Sequence, residues 1–259
     1  DYAKVLLILE DKQKALEFIT KSAQMDDDKA IDWLFSHAPD ENQVYAILQK
    51  LIDDKGQADL YYRYALFLEN QQQKGEYIKY LLKAVELEKL QAIGRIVDLS
   101  IQYDRIYAVF RNLTENSSSG ILYYHFALLE ESKQKSKETI YYLLKSFAFK
   151  NQSAEERLEH YAKRSHIVSY AFAESYEKNP HRPKKAVEYF IQSAQLAINP
   201  PNNKIFQPAF DKLFSYALEQ HYALATDGLI ELYHTYLDDF DKLSQLHIEN
   251  AKTHGNAES

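Results

Sequence analysis

One stretch of this sequence occurs twice. Residues 60–92 align without a gap with residues 122–154, and 14 of the 33 aligned positions are identical. The first copy begins at Leu60 and the second at Leu122, which is an offset of 62 positions. A self-match of this quality at a fixed spacing is typical of repeat architectures, in which each unit packs against its neighbours along the chain.

The 62-residue offset divides into two intervals of 31. Residues at this interval fall in the middle of a predicted second helix in each unit, and each is followed by an aliphatic residue. We expect these aliphatic positions to form a buried stripe on one helical face. The anchors are Ala15, Ala46, Tyr77, Ala108 and Thr139, and the residues that follow them are Leu16, Ile47, Ile78, Val109 and Ile140.

A preceding helix shows the same interval. A bulky residue is followed by a smaller one at Tyr2-Ala3, Trp33-Leu34, Tyr64-Ala65 and Phe126-Ala127, whereas Arg95-Ile96 breaks the aromatic rule. We expect the bulky ring to wedge into the partner helix while the small residue lets the backbones approach. Each unit is thus predicted to be an antiparallel helix pair, and the fourth unit to be degenerate.

Composition agrees with an all-α chain. Of the 259 residues, 46% are hydrophobic, and only six are glycine and six proline, which is too few turn formers for an all-β protein. The net charge of -7 argues against nucleic acid as a partner. The chain lacks cysteine, and it has no run approaching the ~18 apolar residues of a membrane span.

Turn signals give the predicted domains. Residues 1–198 form the repeat array, 199–205 a Pro/Asn linker, 206–251 C-terminal helices that act as a degenerate repeat and cap, and 252–259 a disordered tail. The next anchor after Thr139 is Ala186, so the regular spacing ends there. We expect an additional or elongated helix over Ala154–Glu177 to take up the difference. Asp26–Asp28 and Ser117–Ser119 supply cap-forming residues before first helices.

The second-helix motif suggests a family. KALEFITKSA at 14–23 and KAVEYFIQSA at 185–194 resemble the Sel1-like branch of the tetratricopeptide (TPR) superfamily, and the resemblance covers about residues 1–198. It implies a right-handed α-solenoid of antiparallel helix pairs, with a non-catalytic role and a protein or peptide partner on the concave face. The 31-residue period is shorter than is usual in that family, and the loop glycines of Sel1 repeats are absent. Similar bacterial proteins sit in envelope assemblies such as exopolysaccharide export.

Transferred by register, the resemblance places eight first-helix residues on the concave face. Tyrosine offers a rigid apolar ring with a polar tip, which suits it to holding a ligand, but the same side chains could instead pack between units. Both interpretations stay open. The basic and amide clamp of chaperone-binding TPR proteins has no counterpart here. The predicted partner-binding residues are Tyr62, Leu66, Glu69, Ile93, Val97, Tyr124, Leu128 and Glu131.

The sequence contains no recognisable catalytic or cofactor motif. The nine histidines form no H-E-x-x-H pattern, and the chain has neither a glycine-rich phosphate loop nor G-x-S-x-G. Adjacent carboxylates such as Glu130-Glu131 point in different directions on a helix. We therefore expect no enzyme activity, no metal site and no cofactor.

Two hypotheses follow. The first is an interaction scaffold for a protein or peptide, in a periplasmic or envelope assembly for exopolysaccharide export or secretion. The alternative is a cytoplasmic regulator or immunity protein that responds to a peptide or small ligand, with residues 199–259 as its effector-facing part. The sequence leaves the oligomeric state and the identity of the partner open.

Overall fold

The computed structural model describes residues 12–37, 42–178, 182–198 and 206–237, and every regular element in them is helical. The predicted pair at Tyr2-Ala3, the linker at 199–205 and the chain from 238 onward lie outside these ranges. The chain divides into two compact units, Asp1–Ser117 and Ser118–Ser259. This division falls inside the predicted 1–198 array, at the Ser-rich turn that precedes Gly120.

Unit 1 contains seven described helices, and each consecutive pair is in contact. The tightest pair is α4 with α5. The helices are α1 (Lys12–Gln24), α2 (Asp28–His37), α3 (Asn42–Lys55), α4 (Ala58–Asn70), α5 (Lys74–Glu86), α6 (Leu90–Gln102) and α7 (Asp104–Glu115).

Unit 2 is built in the same way, with α8 on α9 and α11 on α12 as its tightest pairs. α13 and α14 pack on α12, and each continues into a short π-helical segment, Ser215–Glu219 and Tyr233–Leu237. The helices are α8 (Gly120–Ser132), α9 (Ser136–Ala148), α10 (Gln152–Ala162), α11 (His166–Glu177), α12 (Pro183–Ile198), α13 (Gln207–Phe214) and α14 (Ala223–Leu232).

The beginnings of the helices recur at the same 62-residue offset as the sequence. α5 and α9 begin at Lys74 and Ser136, and α6 and α10 begin at Leu90 and Gln152. Within this offset the spacing is uneven, because Asp104, where α7 begins, is 30 positions after Lys74 but 32 positions before Ser136. A uniform 31-residue count therefore drifts out of register in the intervening second helices.

The predicted buried stripe is wrong. Of its five aliphatic positions only Leu16 is buried, Ile47, Ile78 and Ile140 are partly exposed, and Val109 is 43% exposed. In α3 the buried Val44 takes the place of Ala15, and in α7 the buried Phe110 takes the place of Leu81. Ala15 and Val44 are 29 positions apart, as are Leu81 and Phe110. A uniform 31-residue count therefore misses the buried face of α3 and α7, the second helices of the second and fourth units.

The aromatic wedge is confirmed in α4 and α8, whereas Trp33 of α2 is only partly buried and stacks on His37 of its own helix. Tyr64 and Phe126 are fully buried, and their rings stand edge-on to Tyr80 and Tyr142 of the next helix, with centroids 4.7 Å apart in both copies. The alanine that follows each ring is also fully buried. Each tight hairpin is therefore organised around one aromatic pair beside a small residue.

The expected single helix over Ala154–Glu177 is wrong. The structure has two helices there, α10 and α11, which are separated by a short turn. Asn151 caps α10 by accepting from the Ala154 amide, and Ser165 caps α11 by accepting from the Val168 amide. The turn contains neither glycine nor proline, so the cap residues were its only signal.

The two caps predicted at the ends of turns are confirmed. Asp27 accepts a hydrogen bond from the Lys29 amide at the start of α2, and Ser119 accepts one from the Leu122 amide at the start of α8. Each side chain satisfies a helix N–H group that has no partner within the helix.

Ion pairs join successive hairpins with a fixed polarity. In the five pairs named below, the acid comes earlier in the chain and the base about one hairpin later. Pairs of this kind with exposed partners contribute little to stability. They are Asp26–Lys55 (2.5 Å), Asp53–Lys83 (2.8 Å) and Asp59–Lys89 (2.7 Å) in unit 1, and Glu155–Lys185 (3.2 Å) and Glu177–Lys212 (2.7 Å) in unit 2.

Some helices end in left-handed turns without glycine. Gln72 and Gln134 follow α4 and α8 with φ of 58° and 59°, and their amides bond to the carbonyls of Glu69 and Glu131. This is the position at which glycine is usual, because it has no Cβ to clash. Strained glutamines therefore stand where the loop glycines are expected.

We expect Gln72→Gly and Gln134→Gly to stabilise the protein by about 0.5–1 kcal/mol each, since the strain of a left-handed residue is relieved. Urea denaturation followed by circular dichroism measures this change. Gln71→Gly is the matched control, because Gln71 has φ of -81° and gains nothing from glycine. Equal stabilisation by the control would contradict this explanation.

One buried residue differs between the copies in a costly way. Leu68 of α4 and Glu130 of α8 are equivalent, and both are fully buried. Neither carboxylate oxygen of Glu130 has a hydrogen-bond partner, although the Lys135 ammonium lies 3.3 Å from Oε2 outside hydrogen-bonding geometry. A buried carboxylate with so little compensation destabilises the fold.

We expect Glu130→Leu to stabilise unit 2 by about 1–3 kcal/mol, because an apolar side chain already fits the equivalent site. The reciprocal Leu68→Glu should destabilise unit 1 by more than about 3 kcal/mol. Thermal and urea unfolding of the two variants measure both values. A destabilised Glu130→Leu protein would show that the carboxylate is needed for folding.

Candidate partner-binding clefts

Each unit has a cleft beside the first helices, built from equivalent positions. The unit-1 cleft, of about 750 Å³, lies where α4, α5, α6 and the start of α7 meet. The unit-2 cleft, of about 680 Å³, lies between α8 and α10. Glu69 and Arg95 in the first correspond to Glu131 and Arg157 in the second, at the 62-residue offset.

In the unit-1 cleft a glutamate and a tyrosine position an arginine. Arg95 donates from Nη2 to Glu69 (2.5 Å) and from Nε to the Tyr77 hydroxyl (3.2 Å). The side chains of Glu69 and Arg95 are 35% and 43% exposed. A guanidinium has five N–H donors, and no described residue accepts a hydrogen bond from the Nη1 group of Arg95.

The unit-2 cleft repeats the pair with a different tyrosine. Arg157 donates from Nη2 to Glu131, and the Tyr161 hydroxyl donates to the same carboxylate. The Arg157 Nε atom is buried without a hydrogen-bond partner. Both clefts thus contain a glutamate, an arginine and a tyrosine in contact. The tyrosine comes from α5 in unit 1 (Tyr77) and from α10 in unit 2 (Tyr161).

The ion pair affects the charge of Glu131. Partial burial disfavours the charged form, but the hydrogen bonds from Tyr161 and Arg157 outweigh it and lower the pKa of this carboxyl. Burial, with the bond to Glu131, raises the pKa of Tyr161. Near neutral pH the cleft therefore holds a carboxylate, a guanidinium and a neutral phenol, which suits polar recognition.

The predicted residues separate into three groups. Glu69 lines the unit-1 cleft, and Tyr124 and Glu131 line the unit-2 cleft. Ile93 is fully buried, so it cannot contact a partner in this structure. The remaining four are partly exposed on their helices without lining either cleft; they are Tyr62, Leu66, Val97 and Leu128.

The two arginines are site residues that the sequence pattern does not single out. Arg95 breaks the aromatic rule of the first helices, and its bond to Glu69 gives it a role of its own. A signal is present, since both the arginine and the glutamate before it recur at the 62-residue offset, as Arg157 and Glu131. The recurrence of the arginine becomes clear when α6 is aligned with α10. The predicted single helix over Ala154–Glu177 does not suggest that alignment.

Other site chemistry is limited in the described part of the chain. No three His, Cys, Asp or Glu side chains in these ranges come together as a metal site. None of the described helices combines the length and the apolarity that crossing a membrane requires. No known protein-family model and no curated protein matches the sequence.

We expect acid to weaken unit 2 partly through Glu131. A carboxyl whose folded pKa is lowered contributes stability above the unfolded value of about 4.3, and this is lost as the pH falls through the folded pKa. Glu131→Gln should therefore flatten the fall in Tm below about pH 4.3. Glu156→Gln, which removes another carboxylate of the same cleft, is the matched control. An unchanged slope in Glu131→Gln would contradict the assignment.

Proposed function

We propose that this chain is a non-catalytic interaction scaffold of the TPR/Sel1-like type, which binds protein or peptide segments in its two first-helix clefts. The observation that carries the proposal is the recurrence of the Glu–Arg pair, Glu69–Arg95 and Glu131–Arg157, at equivalent positions of both units. These pairs are partly exposed, so they contribute little to stability. Their repetition beside open clefts is more readily explained by binding.

The tyrosines with the most strongly raised pKa line neither cleft. Burial raises the pKa of Tyr64, Tyr176 and Tyr189 far above the ordinary value, and that of Tyr216 to about 12. Such phenols hold their protons at neutral pH, whereas a general base needs a pKa near the working pH.

Arginine is also the residue type expected at such a contact. Its planar guanidinium recognises carboxylate and carbonyl oxygens in a fixed geometry, and arginine and tyrosine are enriched among residues that dominate binding energy. A glutamate that holds the guanidinium in place reduces the entropy lost when a partner arrives. An envelope location and a role in exopolysaccharide export or secretion belong to the same proposal.

A second candidate function is favoured by a cavity in unit 2. About 1060 Å³ of space lies between α9, α10 and α11, and four basic and four acidic side chains line it. The matching positions of unit 1 include Ile93, Val97 and Leu113. A charged cavity in place of apolar side chains fits the alternative of a regulator that responds to a small ligand.

We expect Arg95→Gln and Arg157→Gln each to weaken peptide binding about tenfold or more, since each removes a positioned donor. Peptides selected from a random displayed library against the purified chain serve as probes, with affinity measured by fluorescence anisotropy. Arg111→Gln is the control, because Arg111 pairs with Glu115 of its own helix, outside both clefts. A library that yields no binder, or variants that bind as tightly as the parent chain, would contradict the proposal.

A further inference from the structure

The two clefts display different chemistry on one framework. Four residues spaced i, i+3, i+4 and i+7, called the α10 set below, line the unit-2 cleft. Three of them lie on α10, and the fourth, Arg164, lies in the turn after the last residue of that helix, Ala162. The equivalent four residues of α6 line the unit-1 cleft. The α10 set is Arg157, His160, Tyr161 and Arg164, and the α6 set is Arg95, Asp98, Leu99 and Gln102.

Unit 1 acts as an internal control for the fold. α6 and α10 begin at equivalent positions, Leu90 and Gln152, although α6 runs through Gln102 and α10 ends at Ala162. Cations near a helix C-terminus are often explained by the helix dipole, yet α6 has no basic residue in its last turn. The framework therefore does not require the basic residues of α10, and binding explains their presence better.

We propose that the unit-2 cleft binds an acidic segment of a partner protein. Arg157 is neutralised by Glu131, but no carboxylate among the described residues lies at ion-pair distance from Arg164 or from its neighbour Lys163. The other lining carboxylate is Glu156, which precedes Arg164 in the chain. It accepts a hydrogen bond from the side-chain amide of Gln152 (3.2 Å). Arg164 is therefore a lining cation of this cleft without an ion-pair partner among the described residues.

Aromatic rings complete the cleft. Tyr124 lines it from α8 and Tyr161 from α10, and such rings pack against the aliphatic stems of glutamate or against an aromatic side chain. Complementary charge contributes mainly to association rate and specificity. The predicted partner segment is therefore acidic with interspersed apolar residues. Binding does not require the terminal carboxylate of the partner chain.

This inference rests on the proposed scaffold function, and a defined probe tests it separately. The probe is a fluorescein-labelled, C-terminally amidated peptide of sequence Glu-Glu-Leu-Glu-Glu-Tyr-Glu-Glu, compared with the same peptide carrying glutamine for every glutamate. In anisotropy titrations near neutral pH we expect the acidic peptide to bind about tenfold or more tightly, and its affinity to fall as salt is raised.

Exchange of the two helix faces gives matched variants. The double variant His160→Asp with Arg164→Gln places the unit-1 residues at these two positions of the unit-2 cleft. It should weaken binding of the acidic peptide about tenfold. Asp98→His with Gln102→Arg gives α6 the residues of α10 and should add a second binding event.

A surface control separates local from overall charge. Lys29→Gln with Lys50→Gln lowers the net charge as much as the α10 exchange does, at exposed sites of unit 1. This control should alter affinity less than about twofold, because neither lysine lines the unit-2 cleft. Unchanged Tm values confirm that each variant is folded.

The outcomes separate the two proposals. Equal binding of the acidic and glutamine peptides, or equal losses in the α10 exchange and the lysine control, would overturn the inference. If library-selected peptides bind while the acidic peptide does not, the inference fails and the scaffold function stands. If neither kind of peptide binds, both proposals fail.

Discussion

The aromatic pair inside each tight hairpin is the contact on which the rest of the structure depends. Tyr64 with Tyr80, and Phe126 with Tyr142, fix how closely two helices approach and at which height they meet. The small residue after each ring lets the backbones reach that distance. The side chains that face away from the pair are then free to differ. This is why the two copies share a framework while their clefts carry different residues.

Much of this framework is readable from the sequence, because packing repeats with the chain. The Tyr64-Ala65 and Phe126-Ala127 steps identify the wedge, and serine and aspartate identify the caps. The uneven spacing is not readable from a uniform count. An interval of 30 followed by one of 32 averages to 31, and the average predicts burial for Val109, which is exposed. Only the contacts of α3 and α7 show which face each helix buries.

The candidate site was harder to predict for a physical reason. The predicted partner-binding residues occupy positions where the first helices repeat their aromatic and aliphatic side chains, and such positions also serve packing, as buried Ile93 shows. The arginines occupy positions where the packing pattern is broken. A side chain that the core does not need is under no packing constraint. In a repeat protein, a departure from the packing pattern that occurs in both copies, such as Arg95 and Arg157, is therefore more informative about a site than the packing pattern itself.

The polarity of the inter-hairpin ion pairs has a consequence for how such a chain can change in length. In each of these pairs, as in Asp53–Lys83, the earlier segment of the chain supplies the acid and the later one supplies the base. A hairpin pair duplicated within a unit would meet a complementary neighbour on each side, with no like charges opposed. Growth by whole 62-residue segments is thus electrostatically permitted at every such junction, whereas inversion of a segment is not. The fixed order of acid before base therefore favours copies of a segment that run in the same direction along the chain.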